Sequence, residues 1–202
     1  MPPGFLIALE GVDGSGKTTQ ARLLAAALQQ RGREVVLTQE PTTGPQGQKL
    51  RSYLQGPTRH LIPEEELALF LADRREHVEQ VIQPALAAGK VVISDRYYYS
   101  SVAYQWALGL DPAHILALNE TFAPRPDLVI ILKVPLKTAW ARRVQGRSEP
   151  RQLSESPEYL ERVAAIYDTL KGPHLHHLTA TGSREETHAL ILRLTLTALG
   201  ES

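Results

Sequence analysis

The chain alternates between short apolar runs and longer segments in which apolar residues recur with helical spacing. Runs typical of buried strands lie at 5–9, 34–38, 91–94 and 128–132, with a weaker run at 175–179. Helical patterns separate these runs, at 17–31, 64–88, 135–144, 157–171 and 184–199. Strands that alternate with helices predict a three-layer α/β/α fold with a five-stranded parallel sheet. In such folds the active site lies beyond the carboxyl ends of the strands.

A glycine-rich loop follows the first predicted strand. Residues 11–18 read Gly-Val-Asp-Gly-Ser-Gly-Lys-Thr, which matches the phosphate-binding pattern G-x-x-x-x-G-K-[ST] in full. The glycines let backbone N–H groups converge on phosphate oxygens, and the helix that begins near Lys17 directs its positive dipole end at the anion. We therefore expect a P-loop NTPase-like domain. Its phosphate-binding residues would be Gly11, Val12, Asp13, Gly14, Ser15, Gly16, Lys17, Thr18 and Thr19.

An acidic and a basic residue end the third predicted strand. Asp95 comes first and Arg96 follows it. An acid in this position of a P-loop enzyme holds Mg²⁺ through water, and the Thr18 hydroxyl of the loop is a second Mg²⁺ ligand. The planar side chain of Arg96 can bind another phosphate. A purely structural Asp–Arg pair at a helix start is the alternative interpretation.

Phe70 and Arg74 are one turn apart on the helix predicted over 64–88. An aromatic ring and a guanidinium with this spacing can stack on a planar base and hydrogen-bond its edge. The other interpretation of Phe70 is an aromatic residue of the hydrophobic core. Apolar residues later in the same helix belong to the core or to a dimer face, and the pattern does not separate the two.

A polar segment interrupts the helical patterns near the end of the chain. Residues 145–156 are polar, and Gly146 and Pro150 lie among them. A surface loop is one interpretation of this segment. The other is a mobile lid whose arginines close over phosphates, which the presence of a phosphate loop favours. We expect a lid at about 143–156 within a single domain that covers 1–202.

The composition is that of a globular protein. Lys+Arg and Asp+Glu each number 22, so the net charge is near zero, and 43% of the residues are hydrophobic. This balance favours neither a nucleic-acid nor a membrane partner. The absence of cysteine excludes disulfides, thiolate metal sites and a cysteine nucleophile. Because the chain has no long apolar run and no leader-like segment, we expect it to be soluble and cytoplasmic.

Three segments together resemble the thymidylate kinase family. They are the phosphate loop, Phe70-Leu-Ala-Asp-Arg74, and Asp95-Arg-Tyr-Tyr-Tyr-Ser100-Ser-Val-Ala-Tyr104-Gln105. The last of these contains D-R-Y-x-x-S-x-x-A-Y, a much more specific pattern than the phosphate loop. The resemblance covers nearly the whole chain. It implies transfer of the γ-phosphoryl group of ATP to dTMP, giving dTDP and ADP, with Mg²⁺ as cofactor and a homodimeric assembly.

The resemblance also implies an acceptor site for dTMP. Phe70 would stack on thymine, Arg74 would bond its carbonyl edge, and Tyr104 would exclude a 2′-hydroxyl. Arg96 would hold the dTMP phosphate. The implied contacts are Asp13, Glu40, Pro41, Arg51, Phe70, Arg74, Arg96, Ser100, Ser101, Tyr104 and Gln105. On the donor side, Arg142 resembles the residue that lies against adenine.

Phosphoryl transfer between phosphates needs charge stabilisation more than it needs a general base. We expect Asp13, Lys17 and Arg96 to take part, together with a catalytic arginine. Some relatives carry a basic residue directly after the loop aspartate, but this chain has Gly14 there. It therefore resembles the group whose catalytic arginine lies in the lid. The candidates in this chain are Arg147 and Arg151, with Arg143 in reserve.

The sequence departs from the family pattern at two strand ends. Related chains with a lid arginine commonly read Arg-Glu-Pro-Gly-Gly-Thr after the second strand, whereas this chain has Gln39 and reads Thr-Thr-Gly after Pro41. The shape of this loop is therefore open, and a cis Glu40–Pro41 bond is compatible with it. Lys133 ends the fourth strand, where relatives often carry an acid.

Two other functions stay open at this point. Fold does not fix substrate, so the first alternative is another deoxynucleotide or deoxynucleoside kinase on the same scaffold. A deoxynucleoside kinase could use Glu40 as a base against a 5′-hydroxyl. A nucleotide-binding regulatory module with little turnover is the second alternative. The chain lacks the Asn-Lys-x-Asp signature for guanine, and such a module would have no use for the acceptor motif.

Overall fold

The structure is a computed structural model that describes residues 4–56, 59–145 and 156–201. Its centre is a parallel sheet of five strands in the order β2-β3-β1-β4-β5. The strands are β1 (Phe5–Glu10), β2 (Val35–Gln39), β3 (Val91–Asp95), β4 (Leu128–Lys133) and β5 (Leu175–Thr179). The predicted α/β class, the strand number and the parallel arrangement are confirmed.

Helices cover both faces of this sheet. They are α1 (Lys17–Gln30), α2 (Pro45–Gln55), α3 (Pro63–His77), α4 (Gln83–Ala87), α5 (Tyr98–Trp106), α6 (Pro112–Glu120), α7 (Leu136–Gln145), α8 (Pro157–Thr169) and α9 (Arg184–Ala198). On one face Leu24 of α1 and Ile191 of α9 pack in a cluster with Ile7 of β1. On the other face Val163 of α8 packs in a cluster with Leu6. The sheet is therefore the middle layer of three, as predicted.

The strand register brings the functional ends together. Leu9 of β1 pairs with Asp95 of β3, and Gln39 of β2 pairs with the same Asp95 on its other side. The carboxyl ends of three strands consequently lie side by side. The phosphate loop, the Asp95–Arg96 pair and the Glu40–Pro41 pair all leave the sheet at this edge.

The helix predicted over 64–88 is not one continuous α-helix. A π-helical turn, Val78–Ile82, separates α3 from the short α4. Pro84 follows the turn and has no N–H to donate, which interrupts regular α-helical bonding. Val78 and Ile82 are fully buried in a core cluster. Of the apolar residues late in the predicted helix, these two therefore belong to the core.

Three helices of the described residues lack a counterpart in the apolar pattern. In α2 only Gly47 and Leu50 are buried, and in α6 only Ile115 and Asn119 are buried. Neither helix therefore carries a recognisable apolar stripe. α5 begins inside the acceptor motif, where its buried tyrosines and serines do not form an amphipathic pattern. Within the described ranges no helix has the length and hydropathy needed to cross a membrane.

Candidate active site

The phosphate loop joins β1 to α1 and is shaped by its glycines. Gly11, Gly14 and Gly16 have φ angles of 131°, 82° and 99°, a region that disfavours residues with a Cβ. A Cβ on Gly14 would also overlap the carbonyl oxygen of Ala139 in α7. A basic side chain therefore does not fit at position 14 with this backbone, which gives a physical reason for the glycine there.

Lys17 is buried and its side chain bonds the backbone of the phosphate loop. Its Nζ donates to the carbonyl oxygens of Gly11 and Val12, at 3.0 and 2.9 Å. Burial and the nearby positive charge of Arg96 lower the pKa of Lys17 to about 8, although Asp13 and Asp95 act in the opposite direction. A negatively charged ligand in the loop would favour the charged form of this lysine.

Thr18 and Asp95 meet where the loop faces the end of β3. The Thr18 hydroxyl donates a hydrogen bond to Oδ2 of Asp95. A hydroxyl and a carboxylate oxygen in contact suit Mg²⁺, which prefers oxygen ligands and usually keeps several waters and phosphate oxygens. No cluster of three or more histidine, cysteine, aspartate or glutamate side chains suited to a metal occurs in the described part of the chain.

Arg96 lies between the two halves of the site. Its Nη2 donates to Oδ1 of Asp13 in the loop at 2.6 Å, and its Nη1 donates to Oγ of Ser100 in α5 at 2.9 Å. The guanidinium also lies over the Tyr104 ring, 5.2 Å from its centroid. Burial acts to lower the pKa of Arg96, but Tyr104 and Asp13 outweigh it and raise this pKa well above its ordinary value.

The backbone of Arg96 is unusual as well. Its φ is 76°, in the left-handed region that costs a residue with a side chain about 1–3 kcal/mol. The Arg96 N–H donates to the carbonyl oxygen of Leu9, and its own carbonyl oxygen accepts from Oγ of Ser94 at 2.6 Å. Such conformations persist where surrounding contacts over-determine them, and they are common at ligand sites.

Arg74 is held in a buried network. Its Nη2 donates to Oε2 of Glu40 at 2.6 Å, and its Nη1 donates to Oδ1 of Asn119 at 2.6 Å and to Oγ of Ser101 at 3.0 Å. Only 1% of the side chain is exposed. The candidates Glu40, Arg74 and Ser101 are thus brought into direct contact, although they come from separate segments.

Glu40 is held from a second side by His77. Nδ1 of His77 lies 3.0 Å from Oε1 of Glu40, and Nε2 lies 2.7 Å from the Thr38 hydroxyl. Burial acts to raise the pKa of Glu40, but the charge of Arg74 and the contacts with His77 and Arg74 outweigh it, so the pKa is lowered. Glu40 is therefore an ionised partner of Arg74 at neutral pH.

The loop after β2 is fixed by Thr42. Its N–H and its hydroxyl both donate to the buried carboxylate of Asp73, the hydroxyl at 2.6 Å. Arg51 of α2 donates to the carbonyl oxygen of Thr42 at 2.9 Å and to that of Pro41. The Glu40–Pro41 bond is cis. The threonine that departs from the family pattern thus anchors the loop and orients Arg51.

The remaining acceptor-side candidates differ in exposure. Phe70 and Tyr104 are half-buried, so part of each ring can reach a ligand. Among the described residues, Phe70 belongs to none of the three hydrophobic clusters. Gln105 is fully buried, and its Nε2 donates to Oε1 of the buried Glu66 at 3.1 Å.

A pocket of about 530 Å³ opens beside Thr18 and Asp95. It lies between α1, the end of β2 and α3, on the side of Asp95 that faces the edge strand. Gln39, the residue that departs from the family pattern, is exposed on its wall. Its lining residues are Thr18, Ala21, Arg22, Leu37, Thr38, Gln39, Thr42, Thr43, Gly44, Glu76, His77, Gln80, Val81 and Asp95.

The structure describes the expected lid and the expected adenine contact only in part. The backbone of α7 continues to Gln145 and the described chain resumes at Ser156, so only the two ends of the expected lid are described. Arg147 and Arg151 lie outside the described residues. Arg142 is exposed, and its Nη1 is 4.0 Å from where a Cβ of Gly16 would be, which places it beside the phosphate loop.

Sequence reasoning missed several residues that hold the site together. Glu10, His77 and Asn119 are all buried and all contact candidate residues. Two of them had a signal in the sequence. An acid that continues an apolar strand directly into a phosphate loop is unusual, and His77 lies one helical turn after Arg74. Asn119 had none, because α6 carries no apolar stripe.

A parallel sheet with a phosphate loop after β1, an aspartate at the end of β3 and a buried arginine network opposite defines the class of P-loop phosphotransferases. The comparison with known families agrees, since the sequence model of the family described as thymidylate kinase matches residues 9–191. The chain belongs to the thymidylate kinase family.

Individual relatives extend this match over most of the chain. A thymidylate kinase of Desulfotalea psychrophila is 46% identical over 181 residues, 90% of this chain and 89% of that protein. A probable thymidylate kinase of Thermococcus gammatolerans is 44% identical over 200 residues, 95% of each. The crystal structure of thymidylate kinase from Ehrlichia chaffeensis superposes with a TM-score of 0.78 at 30% identity, covering 96% of this chain and 100% of that one.

Proposed function

We propose that this protein transfers the γ-phosphoryl group of ATP to dTMP, giving dTDP and ADP. Membership of the thymidylate kinase family supports this activity. The observation that carries it in the structure is Arg96, whose guanidinium bonds both Asp13 of the phosphate loop and Ser100 of the acceptor motif. One positive charge thus lies at the boundary between the donor and acceptor sides, where two phosphates would have to approach.

On the donor side, we assign the phosphates of ATP to the loop from Gly11 to Thr19 and to Lys17. Thr18 and Asp95 would hold Mg²⁺ together with ATP oxygens, since their oxygens already lie in contact. When bound, this ion neutralises charge on the phosphates. Arg142, which is exposed beside the loop, would lie against the adenine ring.

On the acceptor side, Arg96 would bind the dTMP phosphate, with Arg51 as a second contact. The base would lie on Phe70, whose ring is only half-buried. Arg74 and Ser101 would face the edge of the base, and the network around Arg74 pre-organises its guanidinium. Pre-organisation of this kind reduces the entropy that is lost when a ligand binds.

The protein need not supply a general base to activate the acceptor. A phosphate oxygen of dTMP is already a nucleophile, so in-line placement and neutralised charge are the main requirements. We assign the remaining charge stabilisation to Arg147 or Arg151 of a lid near 143–156. Each should be replaced by alanine in turn, and loss of the catalytic one is expected to lower kcat about 10³–10⁵-fold. If both variants kept wild-type kcat, the lid assignment would be wrong.

The proposal includes a single domain over residues 1–202 and a cytoplasmic location, which the length and composition favour, and a homodimer, which the family resemblance implies. Sedimentation equilibrium of the full chain tests the assembly. A single species with the mass of one chain, 22.4 kDa, would contradict the dimer.

A deoxynucleoside kinase that uses Glu40 as its base is disfavoured by the contacts of that residue. Arg74 and His77 bond both carboxylate oxygens, and the residue is only 7% exposed. A carboxylate held in this way has little room to take a proton from a nucleoside 5′-hydroxyl.

The deciding experiment is a coupled assay of ADP release with ATP and Mg²⁺. It compares dTMP, dUMP, dCMP, dGMP and thymidine as acceptors. A strong preference for dTMP is expected. A preference for thymidine would move the chemistry to a nucleoside kinase, and ATP binding without turnover of any acceptor would leave only a nucleotide-binding module.

A further inference from the structure

Glu10 is a buried carboxylate to which the reaction outlined above gives no part. It is the last residue of β1 and directly precedes Gly11 of the phosphate loop, yet its side chain turns toward the acceptor motif. The residue is 0% exposed. Its Oε1 accepts from the backbone N–H groups of Tyr97 and Ser100, at 2.9 and 3.1 Å. Its Oε2 accepts from the Ser100 hydroxyl at 2.6 Å and from the Tyr167 hydroxyl at 3.0 Å.

All of these partners are donors, so they match a carboxylate that only accepts. Burial raises the pKa of Glu10, and the hydrogen bond from Ser100, the charge of Arg96 and the bonds from Tyr97 and Tyr167 offset this rise only in part. A buried acid is costly unless its surroundings compensate for it. This partial compensation comes from two separate parts of the fold, the start of α5 with its Ser100 hydroxyl, and α8.

Two of the residues that donate hydrogen bonds to Glu10 are also linked to Arg96, one through the chain and one through a hydrogen bond. Tyr97, whose N–H bonds Glu10, is the next residue along the chain, so Glu10 fixes the peptide that leaves Arg96. Ser100 donates its hydroxyl proton to Glu10 and accepts from Nη1 of Arg96 with the same oxygen. The backbone and the guanidinium of Arg96 are therefore both connected to this one carboxylate. The left-handed φ of 76° at Arg96 requires such support.

We propose that Glu10 is a positioning residue for the acceptor phosphate, which acts by fixing Arg96 through Tyr97 and Ser100. This inference rests on the proposed function, in which Arg96 binds the phosphate of dTMP. The effect of Glu10 is specific to the acceptor, although the residue adjoins the donor loop in the sequence. Tyr167 supports the same carboxylate from α8, so its hydroxyl contributes to the same effect more weakly.

The first test replaces Glu10 by glutamine. An amide of the same size cannot accept from both N–H groups and both hydroxyls, because one of its two polar atoms is a donor. We expect Glu10→Gln to raise the KM for dTMP at least tenfold, about the effect of one lost hydrogen bond to a charged group, while the KM for ATP stays within about twofold. The control is Asp127→Asn, which neutralises a carboxylate bonded to Leu6 N–H at the other end of β1. It should move neither constant.

A purely structural role of Glu10 predicts a different result. Both KM values would then rise together, or neither would change, and either outcome would overturn the proposal. A milder variant, Tyr167→Phe, removes one donor and covers the case in which Glu10→Gln does not fold. It should raise the KM for dTMP about two- to fivefold with the KM for ATP unchanged.

A double variant tests whether Glu10 acts through Arg96. The Arg96→Lys variant lacks the guanidinium that donates to Ser100. In this background, adding Glu10→Gln should therefore raise the KM for dTMP by a further factor of less than about two. Full additivity of the two changes would contradict the inference.

A readout without substrate separates this inference from the proposed function. The Nε–H NMR signal of Arg96 can be assigned by its loss in Arg96→Lys. Glu10→Gln should shift this signal, and Asp127→Asn should leave it in place. If wild-type protein failed to turn over dTMP, the proposed function would be wrong and this signal alone would decide the role of Glu10. An unshifted signal would reject that role.

Discussion

The two halves of the site that we assign to the phosphate donor and to the acceptor are built in different ways. The donor half is mainly backbone, in which glycines shape the loop and Lys17 bonds loop carbonyls five and six residues away. The acceptor half is made of buried charged side chains. Arg74 bonds Glu40 and Asn119, which are 34 and 45 residues distant in the sequence. From this difference we expect substitutions in the donor half to destabilise the protein by steric overlap, and substitutions in the acceptor half to destabilise it by leaving a buried charge unpaired.

The largest expected effect is on the acceptor half. Arg74→Ala leaves Glu40 buried beside His77 without its main counter-charge, and breaking a buried pair from one side costs about 3–5 kcal/mol of unfolding free energy. Urea unfolding measures this loss. The matched control is the neighbouring Arg75→Ala, because Arg75 is exposed and lies over the Phe122 ring. It should cost about 0.5–1 kcal/mol. Equal losses in the two variants would remove the contrast.

The next effect is steric and belongs to the donor half. Gly14→Ala places a Cβ against the carbonyl oxygen of Ala139 at a φ of 82°. Left-handed strain of about 1–2 kcal/mol and overpacking of about 1–3 kcal/mol give an expected loss of about 2–5 kcal/mol. Thermal unfolding and the KM for ATP both report on it.

Gly32→Ala is a matched control for Gly14→Ala. Its φ of 78° is similar, but an added Cβ there meets nothing within 4 Å. It should therefore lose only the left-handed term, about 1–2 kcal/mol, and leave ATP binding unchanged. If both glycine variants lost the same stability, the close approach of α7 to the loop would not matter.

A smaller effect depends on pH. Lys17 has a pKa of about 8 in the ligand-free protein, so rising pH removes its charge through that value. ATP favours the charged form. Hence kcat/KM for ATP, which reports the free enzyme, should fall about tenfold per pH unit above 8. Bound phosphates raise the lysine pKa, so kcat at saturating ATP should decline only at higher pH. A flat kcat/KM between pH 7 and 9 would contradict this assignment.

The smallest expected effect concerns the departure at Lys133. Its Nζ lies 2.7 Å from Oδ1 of Asp168, but both side chains are substantially exposed, at 40% and 51%. Exposed pairs contribute about 0–1 kcal/mol, so Lys133→Met should change the unfolding free energy by no more than this. Turnover should remain at the wild-type level. A collapse of turnover would place Lys133 in the donor half.

The same contrast explains how far sequence could predict the fold. The buried strands β1, β3 and β4 follow from their apolar runs, because a strand covered on both faces leaves few polar positions. The start of α1 follows from the phosphate loop. By contrast, α2 buries only Gly47 and Leu50, so nothing in its own composition marks it as a helix. Its position depends on contacts with α3 that no local pattern records.

Within the site, the sequence predicts the contiguous phosphate loop, but it does not predict contacts between residues that come together only in the folded chain. The motif at 11–18 predicts the loop because all of its parts lie next to one another. The partners of Arg74 meet only after folding, so the motif identified Arg74 without Asn119 or His77. The roles assigned to the acceptor residues stay predictions until the variants are measured.

The contact between Arg96 and Asp13 has a consequence for the turnover cycle. The guanidinium of Arg96 lies 2.6 Å from a carboxylate oxygen of Asp13, so the chain itself supplies a counter-charge. If Arg96 holds the acceptor phosphate as proposed, an incoming dTMP has to compete with this internal anion, which weakens its binding. The same carboxylate would bond the arginine again as dTDP departs. On that assignment, this one contact would weaken substrate binding and favour product release.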